Sequence, residues 1–514
     1  MTARFKLSKS RLLAYRQCPR RLWLQTHRPE LAMVDTASAA WMASGSKAGE
    51  VFRSLHPEGI LINTDDLGEA LRQTRTLLAS QPLRPLFEAT LEAGDVLVRI
   101  DLLAPDQAGY RLVEAKSSTS VKDYHLDDAA IQTWVAQAAG LSVTGTAIAH
   151  IDREFVYPGQ QRYQGLFAET RIDREIAARL PLIAHWVKAA QAMLTSQEPD
   201  IAPGEQCDQP FSCPFLLHCQ APCHDDGQPA IAASADYPVS ILPRSQRLVE
   251  ELKREGYADL REVPEERLEN ERQRTVWRAT QSGQAIVGEE IRSLACALPY
   301  PRYYLDFETI AFAAPRWAGT RPYQQVPFQF SCHTEIASGI VLPAAYLDCD
   351  GNDPRRDFAE TLIATVDPAK LAKMGLDAPA GVSSQPGPIL VYNAAFERSR
   401  ISELAAVFPD LAPALHAINV RLVDLLPPTR AHYYHPAMHG SWSLKAVLPT
   451  IEPGLAYEGM AVANGGDAQT AYLELISPET SAERRTALRQ GLLDYCALDT
   501  YGLLRLVAFF AGEN

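Results

Sequence analysis

Asp101, Glu114 and Lys116 have the residue types and the spacing of a metal-dependent hydrolytic site. Residues two apart on a strand share a face, so Glu114 and Lys116 would project together, and a hairpin partner would bring Asp101 beside them. Carboxylates bind Mg²⁺ or Mn²⁺, which activate water and polarise a phosphodiester, while the lysine positions that water or stabilises the developing charge. The same three residues alone also fit an exposed cross-strand ion pair.

Cysteines supply a second candidate site. Cys207, Cys213 and Cys219 follow one another at intervals of six residues, and Cys18 lies almost two hundred residues upstream. Four thiolates can ligate an iron-sulfur cubane or a zinc ion, so Cys18 is the predicted fourth ligand if the two ends of the domain meet. Cys223 is the alternative and would make a local zinc knuckle. Because zinc ribbons more often contain paired Cys-x-x-Cys motifs, the spacing favours iron-sulfur over zinc.

A third set of residues lies in the C-terminal half. Asp306 and Glu308 would share one face of a strand, and Tyr495 and Asp499, four residues apart, would share one side of a helix. Glu397 follows a strand that enters a helix. Two metal ions about 4 Å apart need several carboxylates, and a tyrosine can orient the attacking water. The alternative is an α/β domain whose acids are helix caps and surface charges.

More than one folded core is needed to position these residues. The chain has 514 residues, of which 46% are hydrophobic and 22% charged, so two or three cores are expected. Strand-like patterns over 95–104 and 110–116 predict a hairpin under the first site. Ser8 caps a predicted helix that runs into Cys18. Further helices are predicted over 129–141 and 169–197.

A new pattern begins at Tyr303. Three strands are followed by an alternation of helix and strand, which is typical of a mixed α/β sheet. The predicted strands cover 303–310, 327–333, 341–347 and 389–392, and the predicted helices cover 357–366, 396–407 and 481–510. The sequence therefore predicts an α/β protein with a first domain over 1–224, a linker and helical connector over 225–297, and a second domain over 298–514.

Charge and hydropathy limit the partners and the compartment. The net charge of −13 excludes a uniformly positive surface, so nucleic acid must contact local basic patches. The first 28 residues hold many basic and no acidic side chains, although a solvated helix face would look the same. The sequence lacks an apolar run of about 18 residues and an export signal, which predicts a cytoplasmic protein without a membrane contact. Nine cysteines in that reducing compartment favour metal ligands or buried thiols.

The first set of residues resembles a known nuclease pattern. Asp101, followed thirteen residues later by Glu114-Ala-Lys116, resembles the PD-(D/E)XK signature. The stretch that ends in Gln132 resembles the glutamine motif of RecB-like nucleases, which implies a catalytic role for Gln132. Those nucleases usually have a tyrosine four residues later, where this chain has Ala136.

The same resemblance extends to the cysteines. One cysteine in Tyr-x-x-Cys-Pro at the front and three at the back resemble the iron-sulfur RecB-like nucleases, including the AddB subunit and the CRISPR-associated RecB-like exonucleases. The resemblance implies a 4Fe-4S cluster that closes the fold, with Cys18, Cys207, Cys213 and Cys219 as its ligands. A first-helix metal ligand is also implied, for which Glu50 and Glu88 are the candidates.

The C-terminal acids resemble the DEDDy branch of DnaQ-like 3′-5′ exonucleases. An Asp306-x-Glu308 strand, a middle acid after Asn-x-x-Phe and a Tyr495-x-x-x-Asp499 helix carry that resemblance, which implies a ribonuclease-H-like fold. The chain has Glu397 where that branch has aspartate, and Asp424 is the alternative middle acid. Residues 298–514 are also similar to an uncharacterised bacterial family found appended to RecB-like nucleases.

Together these resemblances predict a Mg²⁺- or Mn²⁺-dependent nuclease with two phosphodiesterase sites. DNA is the favoured substrate over RNA, in an exonuclease or end-processing enzyme of repair or phage defence that works with a protein partner of such a system. One alternative is a catalytically decayed nucleic-acid-binding scaffold. Another is an exonuclease that acts on RNA.

Overall fold

A computed structural model describes residues 6–33, 47–80, 84–106, 108–220, 235–369, 386–457 and 459–513. The protein is a mixed α/β protein that divides into two compact units. The first unit contains the described residues before 221 together with Ala311–Gln324, and the second contains the other described residues. Within these ranges no helix is both long enough and apolar enough to cross a membrane.

The first unit is built on a seven-stranded mixed sheet. Its strands are β1 (Leu7–Ser8), β2 (Ile60–Leu61), β3 (Leu86–Ala93), β4 (Val96–Asp106), β5 (Gly109–Lys116), β6 (Val143–Ile151) and β7 (Phe167–Arg171). The path through the sheet is β2-β3-β4-β5-β6-β7, with β1 paired to β4. Its helices are Lys9–Gln17, Pro19–His27, 47–54, Leu67–Leu78, Asp123–Ala138, Asp173–Leu194 and Leu216–Gln220.

The predicted hairpin is confirmed. β4 and β5 pair in antiparallel register, with Leu102 opposite Val113. Val96, Val98 and Ile100 alternate into the core of the unit, which is the period-two pattern that makes this segment a strand.

Two helix boundaries in this unit differ from the sequence prediction. The helix predicted over 129–141 begins six residues earlier, at Asp123, and ends at Ala138. The helix predicted over 169–197 begins at Asp173, because Phe167–Arg171 pairs with β6 instead. Pairing with the edge of a sheet satisfies the backbone N–H and C=O groups that would otherwise form hydrogen bonds within a helix.

The second unit contains a five-stranded sheet and a separate strand pair. Its strands are β8 (Ile286–Val287), β9 (Arg302–Ile310), β10 (Val326–Ala337), β11 (Ile340–Leu347), β12 (Ile389–Val391), β13 (Leu422–Asp424) and β14 (Tyr433–Tyr434). The sheet order is β11-β10-β9-β12-β13, in which β9 to β11 are antiparallel and β12 and β13 run parallel to β9. Three strands followed by a helix and strand alternation were predicted, and this order agrees.

Helices cover both faces of the five-stranded sheet. The helices of this unit are Gln246–Arg254, Glu271–Ser282, Glu289–Ala297, Arg355–Thr365, Ala394–Val407, Ala412–Arg421, Leu426–His432, Leu444–Ile451, Gly465–Leu475 and Ala482–Ala511. Phe358 packs against Phe330 on one face of β10. On the other face, Gln329 donates to the carbonyl of Leu492 at 2.7 Å and thereby holds Ala482–Ala511 against the sheet. Coverage of both faces explains why every residue of β9 except Asp306 is buried.

Candidate catalytic sites and cysteine cluster

The hairpin brings the first predicted set together. Asp101 lies on β4, and Glu114 and Lys116 lie on β5. The backbone N–H of Ala115 donates to Oδ2 of Asp101 at 2.8 Å, which holds the Asp101 carboxylate against the neighbouring strand.

Glu114 is the centre of a closed polar network. Only 2% of Glu114 is exposed. Its Oε1 accepts hydrogen bonds from Nζ of Lys116 at 2.7 Å and from Nζ of Lys9 at 2.9 Å. Its Oε2 accepts one from Nε2 of Gln132 at 2.7 Å. Asp128 completes the network, because Lys116, Lys9 and Gln132 also contact it, at 2.6, 3.1 and 2.8 Å.

Opposite charges stabilise both lysines in their protonated form. Burial alone would lower the pKa of Lys116 and of Lys9, but the carboxylates of Glu114 and Asp128 outweigh it and raise both. Asp101 differs, since burial and the nearby Glu114 raise its pKa to about 7. Asp101 therefore takes up or releases a proton near neutral pH, whereas the two lysines stay charged.

A cavity of about 350 Å³ opens beside the hairpin. Asp101, Lys116, Glu88 and Glu50 contribute to its lining. Glu50 is exposed and pairs with Lys47 at 2.7 Å. Both predicted first-helix candidates thus face the cavity that contains Asp101, and Glu88 projects from β3 at a residue with a φ of 57°.

The sequence analysis did not assign site roles to Lys9 and Asp128. Lys9 contacts the site from a helix more than a hundred residues before Glu114. Its only signal was membership of the basic N-terminal stretch. Asp128 had a stronger signal, because it precedes Gln132 by four residues on one helix and therefore faces the same way.

The C-terminal acids form a tighter cluster. Asp306 and Glu308 on β9 and Asp499 on helix Ala482–Ala511 each offer a carboxylate oxygen, and these oxygens all lie within 4.8 Å of one another. The hydroxyls of Ser331 and Thr500 are 2.8 Å apart and fix the helix against the sheet at this level. In the described part of the chain, no other group of three or more metal-ligating side chains meets at that spacing.

Burial makes these carboxyls hold their protons. It raises the pKa of Asp306 well above its usual range, with Asp499, Glu308 and Glu397 adding to the shift. Burial also raises the pKa of Glu308 to about 8 and that of Asp499 to about 6. Lys445 opposes both of these last two shifts. A cluster of acids with so little cationic compensation is suited to a divalent cation.

Two tyrosines flank Asp499. The hydroxyl of Tyr457 donates to Oδ1 of Asp499 at 2.5 Å. The ring centroids of Tyr457 and Tyr495 are 6.0 Å apart. Nζ of Lys445 lies 5.0 Å from the centroid of Tyr457 and 5.1 Å from that of Tyr495. Tyr495 was predicted as a site residue from its spacing to Asp499. Tyr457 and Lys445 were not predicted, and nothing in their local sequence places them beside a helix that follows much later.

The two candidate middle acids have different environments. Glu397 is 2% exposed, and its Oε2 has no hydrogen-bond partner in the described part of the chain. Burial raises the pKa of Glu397 to about 8. Asp424 instead accepts backbone N–H groups from Asn393, Ala394 and Leu426 at 3.0, 3.1 and 3.0 Å. Asp424 therefore holds the strand-to-helix turn, and Glu397 is the acid available to a ligand.

The predicted cysteine ligands lie near one another in the first unit. Nε2 of Gln17 donates to the carbonyls of Gln206 and Phe211 at 2.8 and 2.6 Å, which ties the front helix to the downstream segment. Burial raises the pKa of the Cys219 thiol to about 11, and the neighbouring thiols of Cys213, Cys18 and Cys207 add to this shift. The alternative ligand Cys223 lies outside the described residues.

The spacing of the thiols can be compared with that of the two candidate metal centres. Tetrahedral zinc with bonds of about 2.3 Å places its sulfur ligands about 3.8 Å apart. No three of the four described thiols meet within 4.8 Å. Ligands of an iron-sulfur cluster bind different iron atoms and so are further apart. Arg20 and Arg21 lie close enough to Cys219 and Cys213 to oppose the effect of burial on the pKa of these thiols, but burial outweighs them and raises both values.

The raised pKa values predict the direction of pH dependence. The folded chain keeps protons on Glu308, Glu397 and Asp499 that the unfolded chain has lost. In EDTA the free energy of unfolding should therefore fall as pH rises from about 4, where carboxyls of the unfolded chain titrate, to about 6 for Asp499 and to about 8 for Glu308 and Glu397. Each such carboxyl contributes a slope of about 1.4 kcal/mol per pH unit. Thermal melts at several pH values measure it.

Manganese should reverse this trend, because ionised carboxylates bind the cation better. A Glu308→Gln variant should show a shallower dependence in EDTA. Melting temperatures in EDTA that rise toward pH 8 would contradict the expectation.

Comparison with family models gives a match in the C-terminal half of the chain. A family model described as "Domain of unknown function (DUF2779)" matches residues 303–443. A search of curated proteins found no match. The matched stretch contains Asp306, Glu308 and Glu397 and ends before Asp499, so two of the three clustered acids and one candidate middle acid fall within it.

Proposed function

We propose that this protein is a divalent-metal-dependent nuclease whose main site is the C-terminal acid cluster. The observation that carries this proposal is the meeting of Asp306, Glu308 and Asp499 within 4.8 Å. Buried acids repel one another, and a fold that brings them together without a cation loses stability. Binding of divalent cations is the chemistry that compensates such a cluster.

Each side chain has a distinct role in this proposal. Asp306, Glu308, Glu397 and Asp499 would hold Mg²⁺ or Mn²⁺. When bound there, the cations neutralise the acids, make water a better nucleophile and polarise the phosphodiester. Tyr495 orients the attacking water, while Tyr457 fixes the Asp499 carboxylate by its hydrogen bond.

In the finer assignment, the second unit is a DnaQ-like, ribonuclease-H-like exonuclease and the first is a RecB-like PD-(D/E)XK domain with a 4Fe-4S cluster. Asp101, Glu114 and Lys116 form the second phosphodiesterase site of this proposal, with Gln132 holding Glu114. DNA is the favoured substrate, in repair or phage defence.

A scaffold function for the first unit is the second candidate. One observation favours it: Glu114 is already paired with two lysines and accepts a hydrogen bond from Gln132. A nucleic-acid-binding domain that no longer cuts would retain such a self-contained network.

Incubation of the full chain with end-labelled single- and double-stranded DNA and RNA tests the proposal. Parallel reactions contain Mn²⁺ or EDTA. Cleavage of DNA with Mn²⁺ and none with EDTA is expected, and preferential cleavage of RNA would move the substrate assignment to the alternative. Absence of cleavage of every substrate would favour the scaffold.

Lys116 separates the two candidate functions of the first unit. In a chain whose C-terminal site is blocked by Asp306→Asn, we expect Lys116→Ala to reduce the remaining cleavage about 100- to 1,000-fold. Loss of a positioned charge-stabilising donor commonly has that effect. The measurement is the initial cleavage rate with Mn²⁺.

Lys188→Ala is the matched control, since Lys188 is exposed on helix Asp173–Leu194 of the same unit. It should leave the rate unchanged. Residual cleavage that is insensitive to Lys116→Ala would remove the hairpin from the catalytic assignment.

A further inference from the structure

A second cavity, of about 320 Å³, lies in the C-terminal unit. Its lining consists of Pro243, Arg244, Asn270 and Arg272. None of these residues belongs to the acid cluster or was singled out by the sequence. Two of the four lining side chains are guanidinium groups, so the cavity is suited to an anion.

The arginines at this cavity are close to one another and not to acids. Arg244 is exposed and Arg272 is half-buried. Burial, followed by the charges of Arg244 and Arg430, lowers the pKa of Arg272, and no acidic neighbour offsets the shift. Within the described part of the chain, Arg244, Arg272 and Arg430 form no ion pair. Two of these cations therefore line one concave surface, and the charge of the third, Arg430, acts on Arg272.

Several neighbouring arginines, by contrast, pair with acids. Arg278, on the same helix as Arg272, contacts Glu265 and Glu271 at 2.7 Å each. Arg261 contacts Asp259 at 2.8 Å. The chain carries a net charge of −13, so acids to pair with were abundant. Unpaired, partly desolvated like charges destabilise the free protein, and such strain is typical of a binding site.

The position of Arg430 connects this cluster to the acids. Arg430 lies on helix Leu426–His432, which begins just after β13, and its charge acts on Tyr392, the residue directly after β12. β12 runs parallel to β9 with Leu390 opposite Tyr304, which places Tyr392 at the end of the sheet that also carries Asp306. A nucleic-acid strand bound at the arginines would thus lie near the end of the sheet that carries the acid cluster.

We propose that Arg244, Arg272 and Arg430 bind the phosphodiester backbone of the nucleic-acid strand that enters the C-terminal acid site. This inference deepens the proposed function and rests on it for the identity of the strand. Guanidinium groups bind phosphate oxygens in a bidentate manner and without regard to base sequence. In an acidic protein, such a local basic cluster also concentrates the polyanion near the site.

Salt-dependent binding of end-labelled single-stranded DNA tests this inference. Binding is measured by fluorescence anisotropy in EDTA, so that cleavage does not interfere. The double variant Arg244→Gln, Arg272→Gln should bind more weakly than the unchanged chain. The slope of log affinity against log salt should decrease by about 0.7 for each phosphate that the variant no longer neutralises, or about 1.4 for two.

Arg292→Gln is the matched control, because Arg292 is exposed on helix Glu289–Ala297 and removal of its charge changes the net charge in the same direction. It should keep the affinity and the slope. The melting temperature separates binding from structure: relief of repulsion should raise it in Arg272→Gln, whereas a structural arginine would lower it.

Three outcomes would overturn the inference. They are an unchanged slope in the double variant, a lowered melting temperature of Arg272→Gln, and inorganic phosphate that binds the arginines without competing with the DNA. Failure of the nuclease proposal is distinguishable, because it appears as absent cleavage by the unchanged chain while the binding defect of the double variant persists.

Discussion

Replacing Asp306 by asparagine should reduce metal-dependent trimming of nucleic-acid ends at least about 100-fold. Even partners that only orient a metal ligand change activity 10- to 100-fold when they are removed, so a direct ligand should exceed that range. Asp306 lies close to the other acids, since the charges of Asp499, Glu308 and Glu397 all raise its pKa. The measurement is the trimming rate of end-labelled DNA as Mn²⁺ is titrated.

Asp494→Asn is the matched control for that experiment. Asp494 is exposed on the same helix as Asp499 and about one turn before it, so its removal should leave the rate unchanged. A trimming rate that Asp306→Asn does not alter would remove the C-terminal unit from the catalytic assignment and favour a scaffold.

The same titration distinguishes the middle acids. Glu397→Ala should shift the Mn²⁺ dependence, because its Oε2 is buried without a partner in the described part of the chain. Asp424→Ala should instead lower the melting temperature, since it removes two backbone hydrogen bonds at the start of helix Ala394–Val407 and one at the start of helix Leu426–His432. If only Asp424→Ala changes the Mn²⁺ dependence, the middle acid is Asp424.

Local periodicity was sufficient to predict the residues that share one element. Asp306 and Glu308 alternate along a strand, and Tyr495 and Asp499 are one helical turn apart. Both rules depend only on backbone geometry. For the same reason the β4–β5 hairpin was predictable from its two apolar patterns and the turn between them.

Contacts between distant elements were not predictable in this way. Lys9 reaches Glu114 across more than a hundred residues, and Tyr457 reaches Asp499 across 42. Which helix packs beside which strand depends on tertiary packing, and no local pattern records it. The start of helix Asp173–Leu194 was mispredicted for a related reason, because pairing of β7 with β6 is also a tertiary contact.

The cysteine prediction shows how ligand chemistry can indicate a contact between distant elements. Four thiolates are needed for one metal centre, so a lone Cys18 and a distant triad imply that the two ends of the domain meet. In the structure Gln17, next to Cys18, donates to carbonyls on both sides of Cys207, at Gln206 and Phe211. The contact between the two ends of the domain is therefore present, whereas the shared metal centre stays a prediction.

Replacing Cys18 by serine should destabilise the first unit by about 4 to 5 kcal/mol. That is the loop-closure free energy of a covalent link that spans more than a hundred residues, and metal-binding free energy adds to it. Cys18 and Cys207 are almost two hundred residues apart, so their shared centre constrains most of the unit. Hydrogen exchange of peptides from β3, β4 and β5 measures the loss within the full chain.

Absorption near 400 nm and iron content give the second readout. Aerobically purified protein should be brown, and Cys18→Ser should lose both the colour and the iron, as expected when a thiolate ligand of an iron-sulfur chromophore is removed. Cys296→Ser is the matched control, because this thiol is exposed and belongs to the second unit. Colourless protein with one zinc and no iron would overturn the iron-sulfur assignment, and loss of metal with Cys223→Ser but not with Cys18→Ser would replace the long-range link by a local knuckle.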